Sequence, residues 1–149
     1  MIIAIDPGKS GGIATENNGI VSTFAMPETE GDVCDLLTTL AATSQPQKII
    51  IEEVGGFTGK GQPGSAMFTF GRGFGFILGV CAARGWRVDL VRPQKWQKAL
   101  SLGTSKNHAS KTAWKNHLKA RAQQLYPAQS VTLKTADALL LLEYGSTNL

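Results

Sequence analysis

Met1-Ile2-Ile3-Ala4-Ile5-Asp6-Pro7-Gly8-Lys9-Ser10-Gly11-Gly12 opens the chain. The apolar run reads as a buried strand, and the Pro-Gly turn behind it puts Asp6 where a sheet meets solvent. The pattern returns at Lys48-Ile49-Ile50-Ile51, which runs into Glu52 and Glu53. A third acid, Asp137, interrupts the apolar stretch Thr135-Ala136-Asp137-Ala138-Leu139-Leu140-Leu141-Leu142. Ionised carboxylates are costly to bury unless they are paired or bind a metal. Three acids in three apolar elements therefore suggest a shared cation.

Working outward, Gly12 to Glu16 and Ile20 to Ala25 form a predicted hairpin across Asn17-Asn18-Gly19, and Asn-Gly is a strong hairpin-turn signal. Val33, Leu36, Leu37 and Leu40 predict a helix over 31–42, stopped before Pro46. The strand over 48–53 is followed by Val54 to Gly64, whose five glycines and one proline read as a mobile loop. A helix is predicted over 65–84, a strand over 86–91, and a short helix from Pro93 through Leu100. A basic helix over 105–125, with a start that need not be helical, and a last helix over 133–144 complete the set. Three strands, a helix, a strand, a helix, a strand and then helices give an α/β fold, a five-stranded mixed sheet flanked by helices.

The helix over 65–84 carries Gly71, Gly75 and Gly79 at i, i+4 and i+8. Each glycine costs about 1 kcal/mol relative to Ala inside a helix, so the ridge needs close approach of another element. The sheet beneath it is the expected partner, with the same helix of a second subunit as the alternative.

The chain has 149 residues and 15.9 kDa, with 42% hydrophobic and 17% charged residues, enough for one globular domain with a proper core. Cys34 and Cys81 form no CxxC and no ligand cluster, which predicts reduced core thiols and a cytoplasmic protein. The apolar start lacks a basic lead, so no signal peptide is expected. The longest apolar stretch, Phe74 to Ala83, is too short to span a bilayer, and no membrane partner is expected.

The net charge of +4 is unevenly spread. From Leu90 to Ala136 there is no acid, yet Arg92, Lys95, Lys98, Lys106, Lys111, Lys115, Lys119, Arg121 and Lys134 lie there, nine of the fifteen basic residues. Interleaved with Trp96, His108, Trp114 and His117, this is the footprint expected of a polyanion partner. Most of these lysines are expected to touch backbone without reading bases. The two tryptophans are expected in the core, and the two histidines as structural or phosphate-facing.

The chemistry that suits the acids is divalent-metal hydrolysis. Magnesium binds through a few carboxylates plus water and substrate phosphate. Two such ions about 3.5–4 Å apart activate a water and stabilise the leaving oxygen. On its strand Glu52 shares a face with Ile50 while Glu53 points the other way, so Glu52 is the expected ligand.

Ile3-Ala4-Ile5-Asp6-Pro7-Gly8, Ile51-Glu52-Glu53-Val54 and Ala136-Asp137-Ala138-Leu139 resemble the motifs of RuvC-type Holliday-junction resolvases. Ser65-Ala66 through Gly71-Arg72-Gly73 resembles the helix after the second acid, and Val91-Arg92-Pro93-Gln94-Lys95-Trp96 the segment after the last strand of phage-borne members. The resemblance implies a ribonuclease H-like fold and a homodimeric, metal-dependent endonuclease that nicks four-way DNA junctions symmetrically, in recombination and repair. It implies Asp6, Glu52 and Asp137 as ligands of two Mg2+ ions, with Mn2+ as a substitute. Lys111 resembles the basic residue near the scissile phosphate, and Lys95 or Lys98 a second phosphate contact. Phe57 is the nearest match to an aromatic that disturbs stacking at the crossover, displaced by two residues. The DNA surface implied comprises Lys9, Phe57, Lys60, Arg72, Lys95, Lys98, Lys106, Lys115 and Lys134. Where many members carry another acid, this chain has Lys134, which cannot ligate a metal and is either a phosphate contact or a surface lysine. If the source is a phage, the protein works in the bacterial cytoplasm.

Two alternatives are an RNA–DNA hybrid ribonuclease, which uses the same acids, and a branched-DNA-binding module that has lost cleavage. An actin-like kinase also begins with Asp and a Gly-rich turn, but this chain is too short for its two lobes, and no nucleotide cofactor is expected.

Overall fold

The computed structural model describes residues 1–53, 55 and 64–148. Strands β1 (Ile2–Asp6), β2 (Gly12–Asn17), β3 (Ile20–Ala25), β4 (Lys48–Glu52) and β5 (Val88–Val91) form one sheet in the order β3-β2-β1-β4-β5. β1 pairs antiparallel with β2 and parallel with β4, and β5 lies parallel to β4. Asn18 and Gly19 both have positive φ, 52° and 79°, as a two-residue hairpin turn with the twist of its strands requires.

Helices cover both faces. α1 (Glu30–Thr43) and α2 (Gly64–Ala83) pack on one, with Ile3, Ile5, Ile13, Ile49 and Ile51 beneath them. α3 (Pro93–Ala99), α4 (Lys111–Leu125) and α5 (Ala136–Asn148) share the other core with Ala4, Ala14 and Ile50. Strand alternation sorts the apolar residues to the two faces, which is why the isoleucine runs are continuous rather than alternating. α5 is buried along most of its length and crosses β1, β2 and β4. It lies so close to the sheet that a Cβ on Gly145 would stand 1.8 Å from Ile50 Cδ1.

Three sequence expectations change. The last helix starts at Ala136 rather than Leu133, because Thr132 and Thr135 hydrogen-bond to each other and Ala136 N–H donates to the Thr132 carbonyl. Leu133 is 47% exposed, and Lys134 stands exposed in the turn before α5. The basic helix is likewise broken: a 3-10 turn at Ser105–Asn107 precedes α4, which starts after Ser110, whose Oγ accepts from Ala113 N–H at 3.0 Å.

The third concerns the glycine ridge. A Cβ on Gly71, Gly75 or Gly79 would meet nothing within 4 Å, so no element among the described residues covers the ridge. Ile77 and Cys81 are the buried residues of α2, and at 100° per residue they lie opposite the ridge. By length and composition α2 could cross a membrane, which the shorter stretch read from sequence did not suggest. It is, however, the crossover between the parallel neighbours β4 and β5 and packs on their sheet.

Candidate active site

Asp6 and Glu52 each follow directly on a paired residue, Ile5 opposite Ile51, so adjacent parallel strands deliver both carboxylates at one end of the sheet. The Asp6 turn folds back tightly. Gly11 N–H donates to the Gly8 carbonyl at 3.0 Å, and a Cβ on Gly11 would stand 2.1 Å from the Asp6 carbonyl oxygen. Gly8 has φ +110° and lies under the ring of Phe70, so α2 presses on the loop that carries Asp6. The Glu52 carboxylate accepts from the indole N–H of Trp96 at 3.0 Å, and Trp96 is fully buried. Glu53 forms an ion pair at 3.0 Å with Arg92, in keeping with its opposite orientation on the strand.

Asp137 is the second residue of α5, 5% exposed, where the helix N-terminus favours a negative charge. Its Oδ2 is paired with the Lys115 ammonium, and its Oδ1 is buried without a partner. The three acids act on one another. Burial, then Glu52 and Asp137, push the Asp6 carboxyl well above the ordinary range, with Lys115 opposing. Burial and Asp137 raise Glu52 to about 7, against the Trp96 hydrogen bond and Lys115. Burial disfavours the charge on Lys115, but Asp137, Asp6 and Glu52 together raise its pKa.

These groups fit a divalent cation: hard oxygen donors, mutual repulsion and one buried oxygen with no partner. Among the described residues, no three His, Cys, Asp or Glu side chains are placed so that together they could hold one metal ion. The counter-charge in place is Lys115, and it balances one carboxylate of the three.

The structure redistributes the basic residues. Lys111, expected beside the acids, is exposed at the first turn of α4, and Lys115, one turn on, reaches them. Lys115 was expected on DNA backbone, but the packing of α4 on α5 aims it at Asp137. Its position was readable in hindsight: 111, 115, 118 and 122 form one stripe of α4, and Leu118 and Ala122 are buried. Trp96 was read only as core, with nothing in the sequence linking it to Glu52. Arg72, expected on DNA, is held by Glu30 at 2.8 Å. Lys9, Lys95, Lys98, Lys106 and Lys134 are exposed, and Phe57 and Lys60 lie outside the described residues.

A mixed five-stranded sheet in this order, helices on both faces and acids at the ends of adjacent β1 and β4 define a ribonuclease H-like fold. No family model matches the chain, and no curated protein matches it in sequence. Among solved structures it is similar to Thermus thermophilus RuvC in complex with Holliday junction substrate, with a TM-score of 0.63 and 14% identity over 99% of this chain and 96% of that one. A structure of Thermus thermophilus RuvC matches with a TM-score of 0.59 and 17% identity, covering 97% and 95% of the two chains. The fold of this chain is that of RuvC.

Proposed function

We propose that this protein is a metal-dependent endonuclease that resolves four-way DNA junctions by paired nicks. The observation that carries it is the convergence of Asp6, Glu52 and Asp137, from two strand ends and a helix start, into one cluster with Lys115 in which Asp137 is buried and the others half-buried. Bound Mg2+, or Mn2+ in its stead, would supply a water nucleophile at neutral pH and charge stabilisation at the phosphate, giving 5′-phosphate and 3′-hydroxyl ends. The protein's own part is to hold the ligands: Trp96 fixes Glu52, the Gly8–Gly11 turn fixes Asp6, and α5 fixes Asp137. Lys115 spans from Asp137 toward solvent, 37% exposed, where it can meet a phosphate oxygen.

Paired nicks need two active sites, and α2 offers the surface for a second copy. Its glycine ridge is open, Phe68 is 72% exposed, and Ile77 and Cys81 already hold its other side. Two such ridges can approach closely and bury the apolar face that each leaves bare.

The test is a labelled four-way junction, a linear duplex and an RNA–DNA hybrid with Mg2+, alongside Asp6→Asn and EDTA. Paired nicks in the junction, absent in the mutant and in EDTA, support the resolvase. Cutting of the hybrid alone moves the assignment to a ribonuclease. Junction binding without cleavage in any metal leaves a binding module.

A further inference from the structure

We propose that the acid cluster takes one divalent cation per chain, and that the Lys115 ammonium stands in for a second. The inference rests on the nuclease reading above and concerns how many ions that site holds.

The charges set the count. Asp6, Glu52 and Asp137 bring three negative charges, and Lys115 returns one positive charge through its pair with Asp137 Oδ2. The remaining two are matched by one Mg2+. Lys115 serves the whole cluster, since its charge is felt by Asp6 and Glu52 as well as by Asp137. A second divalent ion would give the cluster an excess of positive charge and stand beside an ammonium.

The ligands agree with the charges. Asp6 and Glu52 leave adjacent parallel strands at one end of the sheet. Such a pair suits one ion, because magnesium is held by one or two carboxylates with water and substrate phosphate completing its shell. Two ions about 3.5–4 Å apart, as the resemblance to RuvC-type resolvases implies, would need further oxygens. Two of the oxygens at hand are committed: Glu52 Oε2 accepts from the Trp96 indole at 3.0 Å, and Asp137 Oδ2 holds Lys115. What remains of Asp137 is Oδ1, buried without a partner, and it calls for the charge of one neighbouring cation.

The turn before α5 supplies no further acid. Gly12 stands opposite Asp6 in the β1–β2 ladder, and a Cβ on it would lie 2.7 Å from the Lys134 carbonyl oxygen. The backbone at 134 therefore passes beside the Asp6 strand end, just ahead of Asp137, and the residue it carries there is a lysine. A protonated lysine has no lone pair to give a metal.

Lys115 is held in its place by packing. Leu118 and Ala122, on the same stripe of α4, are buried, and α4 packs along α5. The contact that delivers the ammonium is thus the one that covers Asp137, which is 5% exposed. Driving Lys115 off would strip a buried carboxylate of its counter-charge, which is strongly unfavourable.

The test counts Mn2+ bound to the whole protein by calorimetry, taking as site ions those lost in Asp6→Asn, and reads the electron paramagnetic resonance spectrum at saturation. Two Mn2+ ions about 3.5–4 Å apart are magnetically coupled, whereas a lone ion keeps its resolved hyperfine lines. The wild type is expected to bind one site ion and give the uncoupled spectrum. Lys115→Met is expected to bind two and give the coupled one, while Lys115→Arg and Lys134→Ala stay at one. The wild-type spectrum decides the count even where Lys115→Met fails to fold. Two coupled ions in the wild type overturn the proposal and leave the nuclease reading standing. A count that stays at one in folded Lys115→Met, or rises in Lys134→Ala, also overturns it. Mn2+ binding that is unchanged in Asp6→Asn overturns both the proposal and the metal-dependent nuclease.

Discussion

Replacing Glu52 with Gln should stabilise the protein in the absence of metal while abolishing cleavage. Glu52 sits at about 7 rather than 4.5, raised first by burial and then by Asp137. A carboxyl whose folded-state pKa is raised loses its proton more readily in the unfolded chain, so ionisation favours unfolding. The penalty is absent below about pH 4.5, builds as the pH rises, and is complete above about 7. At about 1.4 kcal/mol per pH unit the gap sets a ceiling of about 3 kcal/mol, and the partial solvent access of Glu52 lowers it to roughly 1–3 kcal/mol. Gln removes the charge, keeps a carbonyl oxygen to accept from Trp96, and relieves Asp6, which Glu52 also raises. For a protein of this size each kcal/mol moves Tm by about 2–4 °C. Thermal unfolding in EDTA at pH 5, 6, 7 and 8 should show Glu52→Gln gaining little at pH 5 and about 3–10 °C at pH 8. A Tm gain of the same size at every pH, or none at pH 8, would refute the idea that burial and Asp137 disfavour the Glu52 charge in the folded state.

Lys115→Met leaves Asp137 buried without its counter-charge. Such losses reach about 3–5 kcal/mol when both partners are buried, and the solvent access of Lys115 brings this to roughly 2 kcal/mol; urea unfolding should show the loss, and adding Asp137→Asn should restore most of it. Gly145→Ala should drive a methyl into Ile50 and lift α5 from the sheet. Overpacking of this kind costs about 1–3 kcal/mol, and Asp137, on the same helix, should lose metal affinity as measured by calorimetry. Gly75→Lys on the open ridge should leave thermal stability within about 0.5 kcal/mol but turn a dimer into a monomer in sedimentation. A monomeric parent, or a dimeric variant, would remove α2 as the contact surface.

The sheet was legible because its evidence is local. Isoleucine runs, one Asn-Gly turn and alternation along each strand name the elements, and an acid at the end of a buried strand marks the end where chemistry collects. Asp6 and Glu52 were therefore readable as a pair before their strands were known to be neighbours. The basic residues were not, because which lysine reaches the acids depends on how α4 rolls against α5. Lys111 and Lys115 share a stripe of that helix, and only the packing of Leu118 and Ala122 decides that the second one arrives. The glycine ridge failed for a related reason. Periodicity says that three glycines share a face, but the direction of that face is set by Ile77 and Cys81 on the other side.

Several features of the fold lack a stabilising partner among the described residues. The glycines of α2 weaken a helix and gain no contact in return from the described residues. Lys111 opposes its own helix start, Asp137 buries an oxygen without a partner, and Asp6 and Glu52 are held at raised pKa by burial and by one another. The proposed function predicts that each feature, unfavourable in the isolated fold, becomes favourable once a second copy, a phosphate or a cation is added. Binding of each should therefore stabilise the protein in proportion to occupancy, since a ligand that binds the folded state alone shifts the unfolding equilibrium. Mg2+ should raise Tm in the wild type and fail to do so in Asp6→Asn. A junction lacking metal should still raise it in both, because the phosphate contacts do not need the acids.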